Sequence, residues 1–370
     1  MCREGAGQVA QAGSLQRMIF ILRINHFASL GAHYFEDMLT SCTLCPRNCK
    51  INRSAGETGY CGQTSAIRAA RAALHFWEEP VLSGKSGSGA IFFSGCNLRC
   101  VFCQNYSIAL GDVGREISSE RLSEIFFELK EKGAHNINLV TGTPFIPQIV
   151  NALERARDNS LDIPVIFNCG GYENVSSIKM LDGLVDIYLP DMKYFSSELS
   201  SRYSAAPDYF ERASEAIAEM YRQVGAPLFE VTSKKGLSCE VFEESEFVKG
   251  QSSEFFDYSS DVLMKRGMIV RHLILPGQTK DSKKILRYLY ETYGDSIYIS
   301  IMNQYTPMAH ITDPGSALFE KYPELARKVT SKEYDRVVSF ALKLGIEKAF
   351  IQEGETAEES FIPAFDYEGL

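Results

Sequence analysis

The chain of 370 residues has one tryptophan and six histidines, and no apolar stretch approaches the roughly 18 residues of a membrane span. A membrane partner is therefore not expected. The histidines, at 26, 33, 75, 135, 272 and 310, show no metal-type spacing such as H-x3-H, and no hydrolase constellation accompanies them. Positive charge is also short. Lys and Arg total 38 against 47 Asp and Glu, a net charge of −9, which argues against a nucleic-acid-binding surface. Residues 5–35 lack acidic side chains altogether while carrying Arg17 and Arg23. That composition can suit a transit segment, but a poorly ordered extension (1–37), or a chain whose true start is Met38, is the plainer reading. The apolar run Met18–Leu22 is cut by Arg23, Asn25 and His26, which argues against a secretory signal and for a cytoplasmic protein. There are no fixed-period repeats and no low-complexity tract.

What is present is a globular composition, 45% hydrophobic and 23% charged, with ten cysteines. The length allows one barrel-sized domain with appendages, or two ordinary domains. Clustered cysteines in a non-secreted chain are better read as metal ligands than as a disulfide framework.

From Ala90 onward, short apolar runs alternate with amphipathic ones. Ala90–Ser94, Ile137–Thr141, Pro164–Asn168, Asp186–Pro190, Met268–Leu275 and Ile297–Met302 read as buried strands, and Ala349–Gln352 as a short last one. Helices are expected at Ser119–Lys132, around Ile149–Leu153, and at Glu211–Val224, Ser282–Tyr293 and Lys332–Leu344, with Asp281-Ser282 as an N-cap. Near-continuous apolar strands between helices mean parallel strands covered on both faces. The expected fold is α/β, a partial, open β/α barrel of about six parallel strands preceded by a cysteine-rich module. Ligands in such folds collect at the carboxyl ends of the strands. Residues 231–260 break the rhythm and read as a surface insertion.

Cys96-x3-Cys100-x2-Cys103 follows the first of these strands. Three thiolates on a short loop can hold three corners of a [4Fe–4S] cluster and leave the fourth iron open. A zinc site completed by a distant residue, or buried structural thiols, are the alternatives. CNLRCVFC after a strand and before an α/β array resembles the signature of the radical SAM superfamily, C-x3-C-x-aromatic-C. That resemblance implies S-adenosylmethionine on the open iron, its one-electron cleavage to a 5′-deoxyadenosyl radical, and hydrogen abstraction. It implies Phe102 packing on adenine. It also places cofactor-binding residues at the strand ends: Thr141 of Thr141-Gly-Thr-Pro144, Asn168 of Asn168-Cys169-Gly170-Gly171, Asp191 with Lys193, and Arg271. Asp191-x-Lys193, and Arg271 of Arg271-x4-Pro276-Gly277, resemble motifs of glycyl-radical-enzyme activases. Those activases carry Asp-Thr where this chain has Asn168-Cys169, so a carboxylate that could ligate a cation is missing here. Were Cys169 to ligate the fourth iron, the cluster would be closed and limited to electron transfer.

Cys42-x2-Cys45-x3-Cys49-x11-Cys61 lies upstream, with Pro46, Gly56 and Gly59 shaping turns. Four thiols so spaced could bind zinc, hold a second iron–sulfur cluster, or be buried free thiols. From Cys42 to Phe365 the chain resembles the uncharacterised proteins similar to pyruvate formate-lyase activating enzyme, including Glu78-Glu79-Pro80 and Met302-Asn-Gln-Tyr-Thr-Pro307. Asn303, Gln304 and Tyr305 follow the sixth strand, where they could face a substrate or form a bonded strand terminus. The domain reading is an extension (1–37), a cysteine-rich metal-binding module (38–85), a radical SAM-like core (86–352) and a tail (353–370). The resemblance implies an activating-enzyme-like oxidoreductase, fed by a low-potential donor such as flavodoxin or ferredoxin and acting on a glycyl radical enzyme or another protein. The same chemistry on a small molecule, and a non-catalytic electron carrier or metal scaffold, are the competing readings.

Overall fold

The computed structural model describes residues 38–231, 240–243, 262–352 and 363–370. The extension 1–37, most of the 231–260 stretch and residues 353–362 lie outside the described residues. In chain order the strands are β1 (Ile67–His75), β2 (Ser88–Phe93), β3 (Arg115–Ile117), β4 (Ile137–Val140), β5 (Val165–Cys169), β6 (Ile187–Pro190), β7 (Leu228–Val231), β8 (Glu240–Glu243), β9 (Val262–Leu273), β10 (Tyr298–Met302) and β11 (Ala349–Ile351). The longer helices are α1 (Ser119–Glu131), α2 (Ile146–Asp158), α3 (Ser197–Ser204), α4 (Tyr209–Val224), α5 (Thr279–Tyr293) and α6 (Ser331–Leu344).

Strands β2, β4, β5, β6, β9, β10 and β11 lie side by side in chain order, each parallel to the next. They match the six apolar runs and the short last one. The fold is α/β with a mostly parallel sheet. Antiparallel β1 and β3 extend one edge, and the antiparallel β7–β8 pair attaches to the start of β9. Alternation along each strand sorts the core into two layers. Outward residues such as Phe167, Met268 and Ile299 pack with helix residues such as Ile149, Ile217 and Leu289. Inward Ile166, Ile187, Leu189, Ile269 and Tyr298 pack against Val81 and Leu82, which plug the amino-terminal end. Burying each such aliphatic side chain contributes about 1.5–3 kcal/mol. The helices form for local reasons. Ser118 caps α1 by accepting from Arg121 N, and Leu122, Ile125, Phe126 and Leu129 give it one apolar face.

Four details add to the sequence reading or differ from it. β1 was not anticipated: its Ala-rich run IRAARAALH lacks β-branched residues after Ile67, yet Ala69, Ala70 and Ala72 are fully buried between neighbouring strands. The boundary at 85/86 falls between β1 and β2, which are hydrogen-bonded partners, so the cysteine-rich stretch is tied into the sheet. Residues 363–370 return to β1, with Tyr367 N donating to Ala70 O and Ala72 N to Glu368 O. Asp281 is not an N-cap. Gln278 holds that position, while the Asp281 carboxylate accepts from Phe195 N and Ser196 N, both at 2.9 Å, and fixes the approach to α3.

Candidate active site

The first candidate loop begins where β2 ends. Ala90–Phe93 are buried on both faces, and the chain then turns at Gly95, with φ +82°. A Cβ at Gly95 would lie 2.6 Å from Cys61 O, so only glycine lets this loop pass against the upstream module. Cys96, Cys100 and Cys103 follow, with Cys103 N donating to Cys100 O at 3.1 Å. All three line one cavity of about 250 Å³. Burial, reinforced by the neighbouring Cys100 thiol, pushes Cys96 up to about 11, and the same causes push Cys103 higher. Such thiols become ligands only when a metal cation displaces their protons.

The strand ends converge on the same cavity. Thr141, Asn168, Cys169, Asp191, Lys193 and Arg271 all line it, beside Phe102. Because β2, β4, β5, β6, β9 and β10 all contribute to one small space, the sheet must curl around it. Thr141 is left-handed at φ +61° and donates its N–H to Asn168 O at 2.8 Å. Lys193 forms an ion pair with Asp191. Burial works against the ammonium, but Asp191 and Cys100 outweigh it and hold Lys193 charged. Phe102 is fixed edge-on by Tyr194, Tyr203 and Tyr305, with centroids 6.2 to 6.3 Å away.

Arg271 has partners that the sequence did not suggest. Its Nε donates to Glu79 Oε1 at 2.9 Å and its Nη2 to Glu79 Oε2 at 2.6 Å; Nη2 also bonds Glu78. Asn138 Nδ2 donates to the other Glu78 oxygen at 2.7 Å. Burial opposes ionisation of Glu79, yet Arg271 beside it holds the carboxyl below its usual range. Asn138 and Arg271 share inward parity on their strands, and polar residues at inward positions of apolar strands were the available signal.

The Asn303–Gln304–Tyr305 group divides. Gln304 lines the cavity, and its backbone carbonyl accepts from Gln104 Nε2 at 2.8 Å. Asn303 N donates to Gln352 Oε1 at 2.8 Å. Tyr305 is fully buried and its hydroxyl donates to Leu325 O at 2.6 Å. A buried phenol needs such a partner, so Tyr305 is a support for Phe102 and not a substrate-facing group. Glu173, which the sequence reading passed over, is 1% exposed behind Cys169, and burial pushes its carboxyl up to about 8.

Gly171 shapes the β5 terminus. Its φ is +81°, and a Cβ there would lie 2.2 Å from Asp191 O. Gly171→Ala is expected to destabilise the fold by at least the cost of local backbone strain, about 1–3 kcal/mol. An unchanged urea midpoint would contradict that placement.

Upstream, Cys42 N donates to Ile51 O and Lys50 N to Cys42 O, so the cysteine-bearing loop closes on itself. Tyr60 N points at Cys49 Sγ, 3.4 Å away. Burial pushes the thiols of Cys45 and Cys61 up, and the other cysteines of the set are close enough to add to it. Among the described residues, no three Cys, His, Asp or Glu side chains converge as they would on a single ion. The donor set around the cavity fits a multi-iron cluster, whose ligating thiolates are spread over several metal atoms.

Residues 90–230 match the model of the Radical SAM superfamily, a span that holds the three-cysteine loop and the ends of β4, β5 and β6. Uncharacterized protein MJ0674 of Methanocaldococcus jannaschii is 24% identical over 319 residues, covering 84% of this chain and 77% of that protein. An aldo/keto reductase structure from Brucella melitensis aligns at 12% identity over 65% of this chain and 85% of that one; its TM-score of 0.22 carries no argument. Residues 90–230 are thus similar to a radical SAM domain, a kind of domain that implies a [4Fe–4S] cluster and S-adenosylmethionine.

Proposed function

We propose that this protein is a radical SAM enzyme of the activating type, in which Cys96, Cys100 and Cys103 ligate three irons of the cluster. The observation that carries the reading is the cavity that gathers these thiols with Asn168, Asp191, Lys193 and Arg271 at the strand ends. When bound, the cluster and S-adenosylmethionine supply one-electron cleavage of the sulfonium bond and hydrogen-atom abstraction. The chain's own residues bind and shield. Phe102 offers a fixed aromatic wall for adenine, held by its three tyrosines. Lys193, kept charged by Asp191, lines the cavity and would offer the cofactor's carboxylate a cation. Arg271 serves mainly to hold the barrel wall, because Glu78 and Glu79 occupy its fork.

The substrate in this reading is a glycyl radical enzyme, supported by the Asp191-x-Lys193 and Arg271-x4-Pro276-Gly277 motifs, with flavodoxin or ferredoxin as electron donor. A different protein or small molecule is the nearest alternative. The upstream thiols would hold zinc or a second cluster.

Cys169 gives a second reading its one support, since it lines the same cavity as the other three cysteines. If it closed the cluster, S-adenosylmethionine could not reach the iron. The two readings part in the EPR spectrum of reconstituted, dithionite-reduced protein. The enzyme reading predicts a changed [4Fe–4S] spectrum on adding S-adenosylmethionine, in wild type and in Cys169→Ala alike. A spectrum that changes only in Cys169→Ala would make the protein an electron carrier.

A further inference from the structure

One side chain joins the upstream cysteines to the cavity loop. Arg47 lies between Cys45 and Cys49, and its guanidinium sits over the ring of Tyr60, 3.9 Å from the centroid, with Tyr172 at 5.2 Å. Its Nε donates to Asn97 O at 2.7 Å, inside the loop between Cys96 and Cys100. Its Nη2 donates to Ser204 O at 2.7 Å, and its Nη1 to Ala205 O. Three carbonyls from two distant loops are thus gathered on one planar fork, which a lysine ammonium could not span.

The second of those loops touches a cysteine. Ser204 is 2% exposed, and its hydroxyl donates to Cys100 Sγ at 3.0 Å. Tyr194 Oη lies 2.7 Å from Ser204 Oγ. With the serine proton committed to sulfur, the tyrosine is the donor, and a buried chain runs Tyr194 to Ser204 to Cys100. Ala205, next in sequence, ends α3 in a left-handed conformation at φ +48°. Val101 N donates to Tyr203 O at 2.9 Å, so the cysteine loop and the 203–205 turn are pinned together beside the Ser204–Cys100 contact.

We propose that Arg47 is a positioning residue through which the upstream cysteine module sets the Ser204–Cys100 hydrogen bond, and with it the reduction potential of the bound cluster. This rests on the reading that Cys96, Cys100 and Cys103 hold a [4Fe–4S] cluster. Reduction adds negative charge to the cluster and its thiolates, and a hydrogen bond donated to a ligating sulfur stabilises that charge. Losing the bond lowers the potential. Releasing the 204–205 turn from Arg47 loosens the bond and acts in the same direction.

The test is EPR-monitored potentiometry on the full-length reconstituted protein without S-adenosylmethionine, comparing wild type with S204A, R47A, R47K and R47A/S204A. S204A and R47A are each expected to lower the ratio of reduced to oxidised cluster about tenfold at a fixed solution potential, which is about 59 mV for one electron. R47K, which keeps the charge but not the fork, is expected to shift the same way. The double variant should shift no further than S204A alone, because both act through one hydrogen bond. A normal potential in R47A and R47K beside a shifted S204A would make Arg47 a clamp of the fold only. Unshifted potentials throughout would remove the role of the hydrogen bond. A wild type fully loaded with iron but lacking a [4Fe–4S] signal would remove the underlying reading, and this inference with it.

Discussion

Arg271→Met is expected to destabilise the protein by about 3–5 kcal/mol at neutral pH, the usual cost of stripping one partner from a buried ion pair. The Arg271 side chain is 13% exposed and the Glu78 and Glu79 side chains 6% each. Methionine fills part of the space but leaves two carboxylates facing each other in the barrel interior. The pH dependence has a definite sign. In the wild type the folded-state pKa of Glu79 is depressed below its ordinary 4.5, so its contribution is present above that value and is lost as pH falls through the lower, folded one. In the variant the cation is gone, and repulsion and burial instead favour protonation. Its penalty is therefore largest near pH 7 and shrinks as pH falls into the carboxylate range. Urea denaturation of both proteins at pH 7 and pH 5 checks this. An equal loss at both pH values, or a loss under about 1 kcal/mol, would mean the three groups are not the buried triad described.

Cys100→Ala is expected to have the largest effect on activity. It removes one of the three loop thiols on the cavity and the acceptor of the Ser204 hydroxyl. Loss of a ligand exceeds the ten- to hundredfold that outer contacts of a metal site typically contribute, so activity should fall by more than about a hundredfold. Iron retained after reconstitution and desalting should fall with it. The fold should survive, because the substitution deletes a single sulfur atom from a loop. Iron content equal to wild type in Cys100→Ala would place the cluster elsewhere.

Much of this architecture was legible because each parallel strand is a local apolar run, and because a β/α fold puts chemistry just beyond those runs. That rule singled out Thr141, Asn168, Asp191 and Arg271, and the fold brings all four to one cavity. β1 escaped because its alanines carry no strand preference of their own; partners on both sides make it a strand. The β7–β8 pair escaped because both strands are only four residues long, β7 ending at the edge of the aperiodic 231–260 stretch and β8 lying inside it. The Glu78–Glu79–Arg271 group spans more than 190 positions, and Arg47 reaches carbonyls 50 and 157 residues away. Such sets exist only after the sheet has formed. Tyr305 was open in the sequence, since a tyrosine at a strand end can face a substrate or bond the terminus; its hydroxyl donates to Leu325 O.

The most direct test of the central claim is the anaerobic yield of 5′-deoxyadenosine. Residues 38–370 are reconstituted with iron and sulfide, reduced with dithionite and given S-adenosylmethionine, beside a Cys100→Ala control. Product from the wild type and none from the control is the predicted result. No product from a wild type that carries its full [4Fe–4S] signal would contradict it and leave an electron carrier or metal scaffold as the function.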